Sequence, residues 1–505
     1  MSMGSCHYSL QLNFTYYILR IINVRYAMFV HELWKNADPS RLALDGNRAL
    51  TYAQLSDQVR MVRNVLYKKG IRRKDRVALY SANSVEFVVV YMAVVSLGAI
   101  IIPVNSSLVD REVDFILRDS ETKLLVTDTP LQVEAPQISV DALMAEADQD
   151  AADEAPAFPS DITEDDVCTF VYTSGTTGSP KGAMLTHKNL VRNAEQTNEV
   201  ITHTPEDKAL CVLPMFHCYG WTVSVLVPLL AGCTIVVMKS KIPTEIIHTI
   251  TGKQVTVAAM VPPMYHLLAR LGRPEAMKTV RIFVSGGASL PQPVAEAFAE
   301  RYGHNVIIGY GLTEASPVVT MLPPDQPKSL SAGPAIPGVE IKVVNDDGKE
   351  CKTGEVGELL VRGDNVMKGY WHKDEETKKV LIADGWLRTG DLAYLDKDAF
   401  VYIVDRIKDL IIVNGENIYP GEVEDCIYEY EGVSECAVVG HSDSLRGQAV
   451  WAYIVMKEGY TLDENEIRKF MKGRIAAYKI PRHFIEIDEM PKNSTGKILK
   501  RALRK

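Results

Sequence analysis

The chain has 505 residues, 47% of them apolar and 24% charged, with a net charge of −9. That length exceeds what one simple core organises, so two or more domains are expected, and the ordinary apolar share indicates a globular protein. The acidic balance argues against nucleic acid as the main partner, and eight scattered cysteines without a C-x-x-C pair argue against structural zinc or a disulfide framework and point to a reducing cytosol.

In chain order, residues 1–27 come first. They lack a basic leading region and a small-residue cleavage site, so a signal peptide is a poor reading. An extension ahead of Met28 is preferred to a membrane-surface segment, which limits membrane contact to the periphery. Phe87 to Val104, FVVVYMAVVSLGAIIIPV, is an uncharged run at the lower limit of a membrane span. Gly98 and Pro103 break it, and it reads as a buried helix leading into a buried strand. The runs VALYS (from Val77), KLLVTD (from Lys123), TIVVM (from Thr234), VTVAAMV (from Val255) and RIFVSGG (from Arg281) read as strands separated by helical stretches. Such alternation predicts an α/β domain with largely parallel sheets. Asp141 to Asp166, rich in Ala, Asp, Glu and Pro, reads as a surface connection. Beyond about residue 340 the texture changes to shorter strands and turns, and the last hundred residues suggest a small α+β unit.

Between two strand-like runs, VCTFVY and GAMLT, lies YTSGTTGSPKG, Tyr172 to Gly182. It has the composition of a phosphate loop but not the G-x-x-x-x-G-K-[ST] spacing of a loop that enters a helix. Backbone N–H groups freed by Gly175 and Gly178, the hydroxyls of Thr173, Ser174, Thr176 and Thr177, and the Lys181 ammonium would together hold phosphate. A plain Ser/Gly/Thr turn is the bland alternative, and seven consecutive small or hydroxyl residues ahead of Pro-Lys-Gly weigh against it.

This loop resembles the signature of the adenylate-forming superfamily, which includes acyl-CoA synthetases and peptide-synthetase adenylation domains. Within it the chain is most similar to a bacterial-type fatty acyl-CoA ligase. The resemblance recurs in order at GYGLTEASP (Gly309 to Pro317), TGDLAYLD (Thr389 to Asp396), VDRIKDLIIVNGENIYPGEVE (Val404 to Glu424) and PKNSTGKILKR (Pro491 to Arg501), and it spans Met28 to Lys505. It implies an α/β fold: a large N-terminal domain of several subdomains (28–407), its sheets sandwiched by helices, and a small mobile α+β C-terminal domain (408–505).

The resemblance also implies a reaction. A carboxylate attacks the α-phosphorus of Mg-ATP to give acyl-AMP and pyrophosphate, and CoA then takes the acyl group. A medium- or long-chain fatty acid is the expected substrate. An aryl or short-chain acid, or a carrier protein in place of CoA, are the alternatives; the absence of a G-G-x-S segment favours CoA. By resemblance Tyr310, between Gly309 and Gly311, stacks on adenine, and Gly286, Gly287 and Ala288 line the ring. Thr313 bonds the α-phosphate, and Glu314 ligates Mg²⁺, with Thr173 as a second metal contact. A hard cation held by one carboxylate and substrate phosphates suits magnesium.

Asp391 is expected to accept the ribose diol and Arg406 to contact ribose and phosphate. Lys408 marks the hinge, Gly415 the CoA channel, and Lys497 bridges carboxylate and α-phosphate in the transition state. By resemblance His217 lies beside the reacting carboxylate, and Trp221 matches the spacing of an acyl-pocket gate; the bland alternative makes both core aromatics of a buried helix, and for Trp221 the two readings are evenly balanced. The resemblance leaves room for a homodimer. A kinase-like NTPase would show a GK[ST] loop or kinase motifs and would release ADP. A non-catalytic relative would have lost Glu314, Asp391 or Lys497.

Overall fold

The computed structural model describes residues 27–149, 158–173, 180–271, 273–414, 416–443, 446–493 and 496–504. The reading of residues 1–27 as an extension therefore lies almost wholly outside the described residues. Two large sheets form the N-terminal part. One has seven strands, in the order Gly369–Tyr370, Lys181–Thr186, Val167–Thr173, Ile100–Val104, Arg76–Tyr80, Leu124–Thr127 and Gln137–Ser139. From Val167–Thr173 onward its pairs are parallel. The other has eight strands, of which Val306–Gly311, Ile282–Ser285, Val257–Met260, Lys208–Cys211, Thr234–Val237 and Leu42–Asp45 run parallel in that order.

Parallel strands covered on both faces are near-continuous apolar runs, which is why VTVAAMV and RIFVSGG were legible. The uncharged run is the buried helix Val85–Val95 followed by the buried strand Ile100–Val104. Ser84 caps the helix by accepting the Phe87 N–H. No helix among the described residues is long and apolar enough to cross a membrane.

One expectation is corrected. The stretch from Asp141 is not simply a surface connection, because Val140–Gln149 is a helix. Val140, Leu143, Met144 and Ala147 fall at i, i+3, i+4 and i+7 and are buried, so its apolar stripe outweighs its acidic composition.

After residue 338 the strands Val339–Val344, Gly357–Gly363, Leu387–Leu395 and Val401–Arg406 make an antiparallel four-stranded sheet. The C-terminal unit is a separate five-stranded sheet, centred on Val433–Asp443 and Gly447–Met456, with helices Pro420–Tyr428 and Glu464–Met471. Its core, including Ile411, Ile418, Val438, Ile454, Ile467 and Phe484, draws only on residues of that unit.

Candidate active site

Four neighbouring parallel strands end at one cleft, at their carboxyl ends, where open α/β sheets place ligands. Lys208–Cys211 leads to His217, Val257–Met260 to Val261, Ile282–Ser285 to Gly286, and Val306–Gly311 to Thr313. His217 caps the short helix Cys218–Trp221, its Nδ1 accepting the Tyr219 N–H at 3.2 Å. That bond leaves the ring proton on Nε2. Burial, and next the Lys497 charge, pull His217 down to about 4, so at neutral pH it is a neutral hydrogen-bond donor. The helix can start here because residue 220 is glycine; a Cβ would collide with the Pro214 carbonyl oxygen.

The Tyr219 hydroxyl bonds the Met260 and Val284 carbonyls, both at 3.3 Å, and its ring lies under Gly286, where a Cβ would crowd it. Gly286 is buried, whereas Gly287 and Ala288 are exposed to the cleft. Gly309 and Tyr310 close the strand Val306–Gly311, and a side chain on Gly311 would strike the Pro317 carbonyl. The Thr313 hydroxyl shares a hydrogen bond with Cys218 Sγ at 3.2 Å. The Glu314 backbone carbonyl accepts from Met367 N–H, and its Oε1 accepts from the Tyr370 hydroxyl at 2.7 Å. One carboxylate held in place, with no group of three or more His, Cys, Asp or Glu around it among the described residues, fits magnesium shared with phosphate oxygens better than an all-protein metal cage.

Asp391 is buried and bound from two sides. Arg406 Nε stands 3.0 Å from its Oδ1, across the pairing of strands Leu387–Leu395 and Val401–Arg406. The Tyr310 hydroxyl donates to its Oδ2 at 2.6 Å. Both oxygens thus already have a partner, and a diol would use their remaining lone pairs. Lys497 reaches the same place from the C-terminal unit. Water reaches it in the open cleft, but the protein around it, and next Arg406, pull its ammonium from 10.5 down to about 8. Gly496 beside it lies against Val261 and Pro263. Lys408, in the turn Ile407–Asp409, is exposed to water on one side, and partial desolvation on the other, then the Arg406 charge, pull its ammonium down as well.

The phosphate loop joins Val167–Thr173 to Lys181–Thr186, antiparallel partners in which Thr173 faces Lys181. The loop therefore connects strand to strand, as the sequence indicated. Ser174, Gly175, Thr176, Thr177 and Gly178 lie outside the described residues, as does Gly415. Trp221 is not brought to the cleft surface. It is 4% exposed, with its ring 3.9 Å from Tyr91 and 5.7 Å from Phe87. Sequence reasoning missed Tyr370, Glu376, Cys218 and Tyr219, whose links to the site span distant stretches of chain.

The model of the AMP-binding enzyme family matches residues 32–371, and that of the AMP-binding enzyme C-terminal domain matches 422–497. The chain belongs to this family, the adenylate-forming acyl-CoA synthetases. It is 36% identical over 472 residues to a feruloyl-CoA synthase of Amycolatopsis sp, covering 91% of this chain and 94% of that one. It is 35% identical over 481 residues to the long-chain-fatty-acid–CoA ligase FadD13 of Mycobacterium tuberculosis, covering 90% and 92%. Among solved structures, ATP-bound MatB from Rhodopseudomonas palustris superposes with a TM-score of 0.88 at 32% identity, covering 94% of this chain and 98% of that one. The ligand-free form of the same protein gives 0.79, covering 95% and 98%.

Proposed function

We propose that this protein is an AMP-forming acid–CoA ligase. It joins a carboxylic acid to ATP as an acyl adenylate, releases pyrophosphate, and passes the acyl group to CoA. The observation that carries this is the convergence of Lys497, from the separately cored C-terminal unit, with Asp391, Arg406 and His217 in one cleft.

The roles are those the resemblance implies, and the geometry supports them. Asp391, fixed by Arg406 and Tyr310, accepts the ribose hydroxyls, while Gly286, Gly287, Ala288 and the Tyr310 ring border the base. Thr313 and Lys497 place positive and hydrogen-bonding groups where charge grows at the α-phosphate, and donors already in position there lower the barrier. Glu314 would hold magnesium together with phosphate oxygens, and the ion supplies neutralising charge at that point. Neutral His217 offers an N–H beside the reacting carboxylate. Lys181 and the loop before it grip the departing pyrophosphate. The C-terminal unit begins at Lys408 and turns there, withdrawing Lys497 so that CoA can enter past Gly415. The greater likeness to ATP-bound than to ligand-free MatB supports the arrangement seen here as the adenylating one.

A medium- or long-chain fatty acid is the first reading for the substrate, favoured by FadD13 and by the long-chain-fatty-acid–CoA ligase of Bacillus subtilis, 31% identical over 517 residues. A ring-bearing acid is the second, favoured by the feruloyl-CoA synthase. The test is the product of an acid panel assayed with ATP and CoA. Acid-dependent AMP and pyrophosphate are expected, with the preferred acid deciding between the readings; ADP as product would overturn the ligase assignment.

A further inference from the structure

Lys181 has a partner within the protein. Its ammonium lies 2.6 Å from Glu376 Oε2 and 5.3 Å above the centre of the Tyr370 ring. Lys379 takes the other Glu376 oxygen at 2.8 Å. Glu376 belongs to the helix Asp374–Val380, and the turn that enters this helix is firmly held. The Thr377 hydroxyl accepts the Tyr370 N–H at 2.9 Å and donates to the Lys373 carbonyl at 2.9 Å. The same short segment therefore positions two groups: Tyr370, which holds Glu314, and Glu376, which holds Lys181. The hydrogen bond from Lys181, ahead of that from Lys379, keeps the Glu376 carboxyl down at about 2, so it carries a full negative charge at neutral pH.

A fixed negative charge beside a phosphate-binding lysine weakens the hold on phosphate, by repelling the anion and by occupying the cation. That is a disadvantage for binding ATP but an advantage for releasing a highly charged product. We infer that Glu376 is a positioning residue that competes with pyrophosphate for Lys181 and takes the ammonium back as pyrophosphate leaves. The exchange involves no covalent change: the Lys181–phosphate ion pair is replaced by the Lys181–Glu376 pair, and pyrophosphate departs into water. This inference rests on the proposed role of Lys181. The opposite possibility, that Glu376 merely aims Lys181 at ATP, predicts an effect of opposite sign.

The experiment measures inhibition of acid-dependent AMP formation by added pyrophosphate in the full chain and in Glu376→Gln, Glu376→Asp and Glu375→Gln. Glu375 sits on the same turn, is exposed and pairs with Lys378, so its change alters net charge equally without touching Lys181. In Glu376→Gln the pyrophosphate inhibition constant should fall about tenfold, the Coulombic effect of one charge a few ångströms away at a half-exposed site. The KM for ATP should fall with it. Glu376→Asp should restore the constant toward that of the unaltered protein, and Glu375→Gln should leave it as it was. An inhibition constant that rises or stays unchanged in Glu376→Gln overturns the inference. Failure of the unaltered protein to release AMP and pyrophosphate would instead overturn the ligase reading beneath it.

Discussion

Asp391 is held from two directions, by Arg406 at 3.0 Å on the adjacent strand of its own sheet and by Tyr310 at 2.6 Å from the eight-stranded sheet. Lys497, facing it, is held among the described residues through its backbone: its N–H donates to Asn493 Oδ1 at 2.8 Å and its carbonyl accepts the Asn493 N–H at 2.9 Å. Among the described residues its ammonium enters no ion pair. One side of the cleft is thus built from side-chain bonds within the N-terminal part, and the other comes from the C-terminal unit. The difference shows where each side's stability comes from. Asp391 has a partner on each oxygen, whereas Lys497 stands near two cations, Arg406 and Lys408, that disfavour its charge, and under the proposed role it would gain a counter-charge from phosphate.

The sharpest way to break this contrast is Lys497→Ala. Removing a preorganised charge of this kind lowers rate by about 10²–10³. The loss should appear in acyl-AMP formation alone, with thioester formation from supplied acyl-AMP preserved; equal loss in both half-reactions would mean that Lys497 does not leave the cleft. Asp391→Ala comes next. It removes the buried carboxylate that under the proposed role accepts the ribose hydroxyls, and losing a hydrogen-bonded charged partner of a ligand costs about 2–5 kcal/mol. The KM for ATP should therefore rise by roughly 30-fold or more, while a purely structural Asp391 would lower the melting temperature and leave that KM unchanged.

Tyr370→Phe should raise the magnesium concentration needed for half-maximal activity about tenfold, the usual scale for a residue that orients a metal ligand. An unaltered magnesium titration would separate Tyr370 from Glu314. The smallest effect is in pH. Lys497 acts as its ammonium, so kcat/KM for adenylation should be halved near pH 8 and fall further above it, and Lys497→Arg should remove that limb. The sign for stability is the reverse. The depressed value means that charge on Lys497 penalises the folded arrangement fully below about pH 8, and that the penalty fades as pH rises toward 10.5.

The sequence announced the parallel strands because burial on both faces leaves little choice but Val, Ile, Leu and Ala, and it announced the loop because glycines and hydroxyls cluster there. Asp391, Arg406 and Lys497 were legible only through resemblance, since each stands in a charge-rich stretch that would suit any surface. The helix at Val140 was obscured by its acidic outer face. Tyr370 and Glu376 gave no signal at all: their partners Glu314 and Lys181 stand 56 and 195 residues away, and neither GYW nor DEET hints at what it will touch. Trp221 fitted a gate by spacing, but packing on Tyr91 and Phe87 is decided by a helix that comes more than a hundred residues earlier.

The C-terminal unit, with a core of its own, is joined to the rest through the turn Ile407–Asp409. A tether that short gives each unit an effective concentration near its neighbour on the millimolar scale. Contacts as sparse as Gly496 against Pro263 can then bring the lysine into place without holding it there. The same two units as separate chains, at ordinary protein concentrations, would meet too rarely for such contacts to suffice. If the unit turns as proposed, covalent continuity at this turn, more than affinity between the surfaces, would keep the lysine within reach.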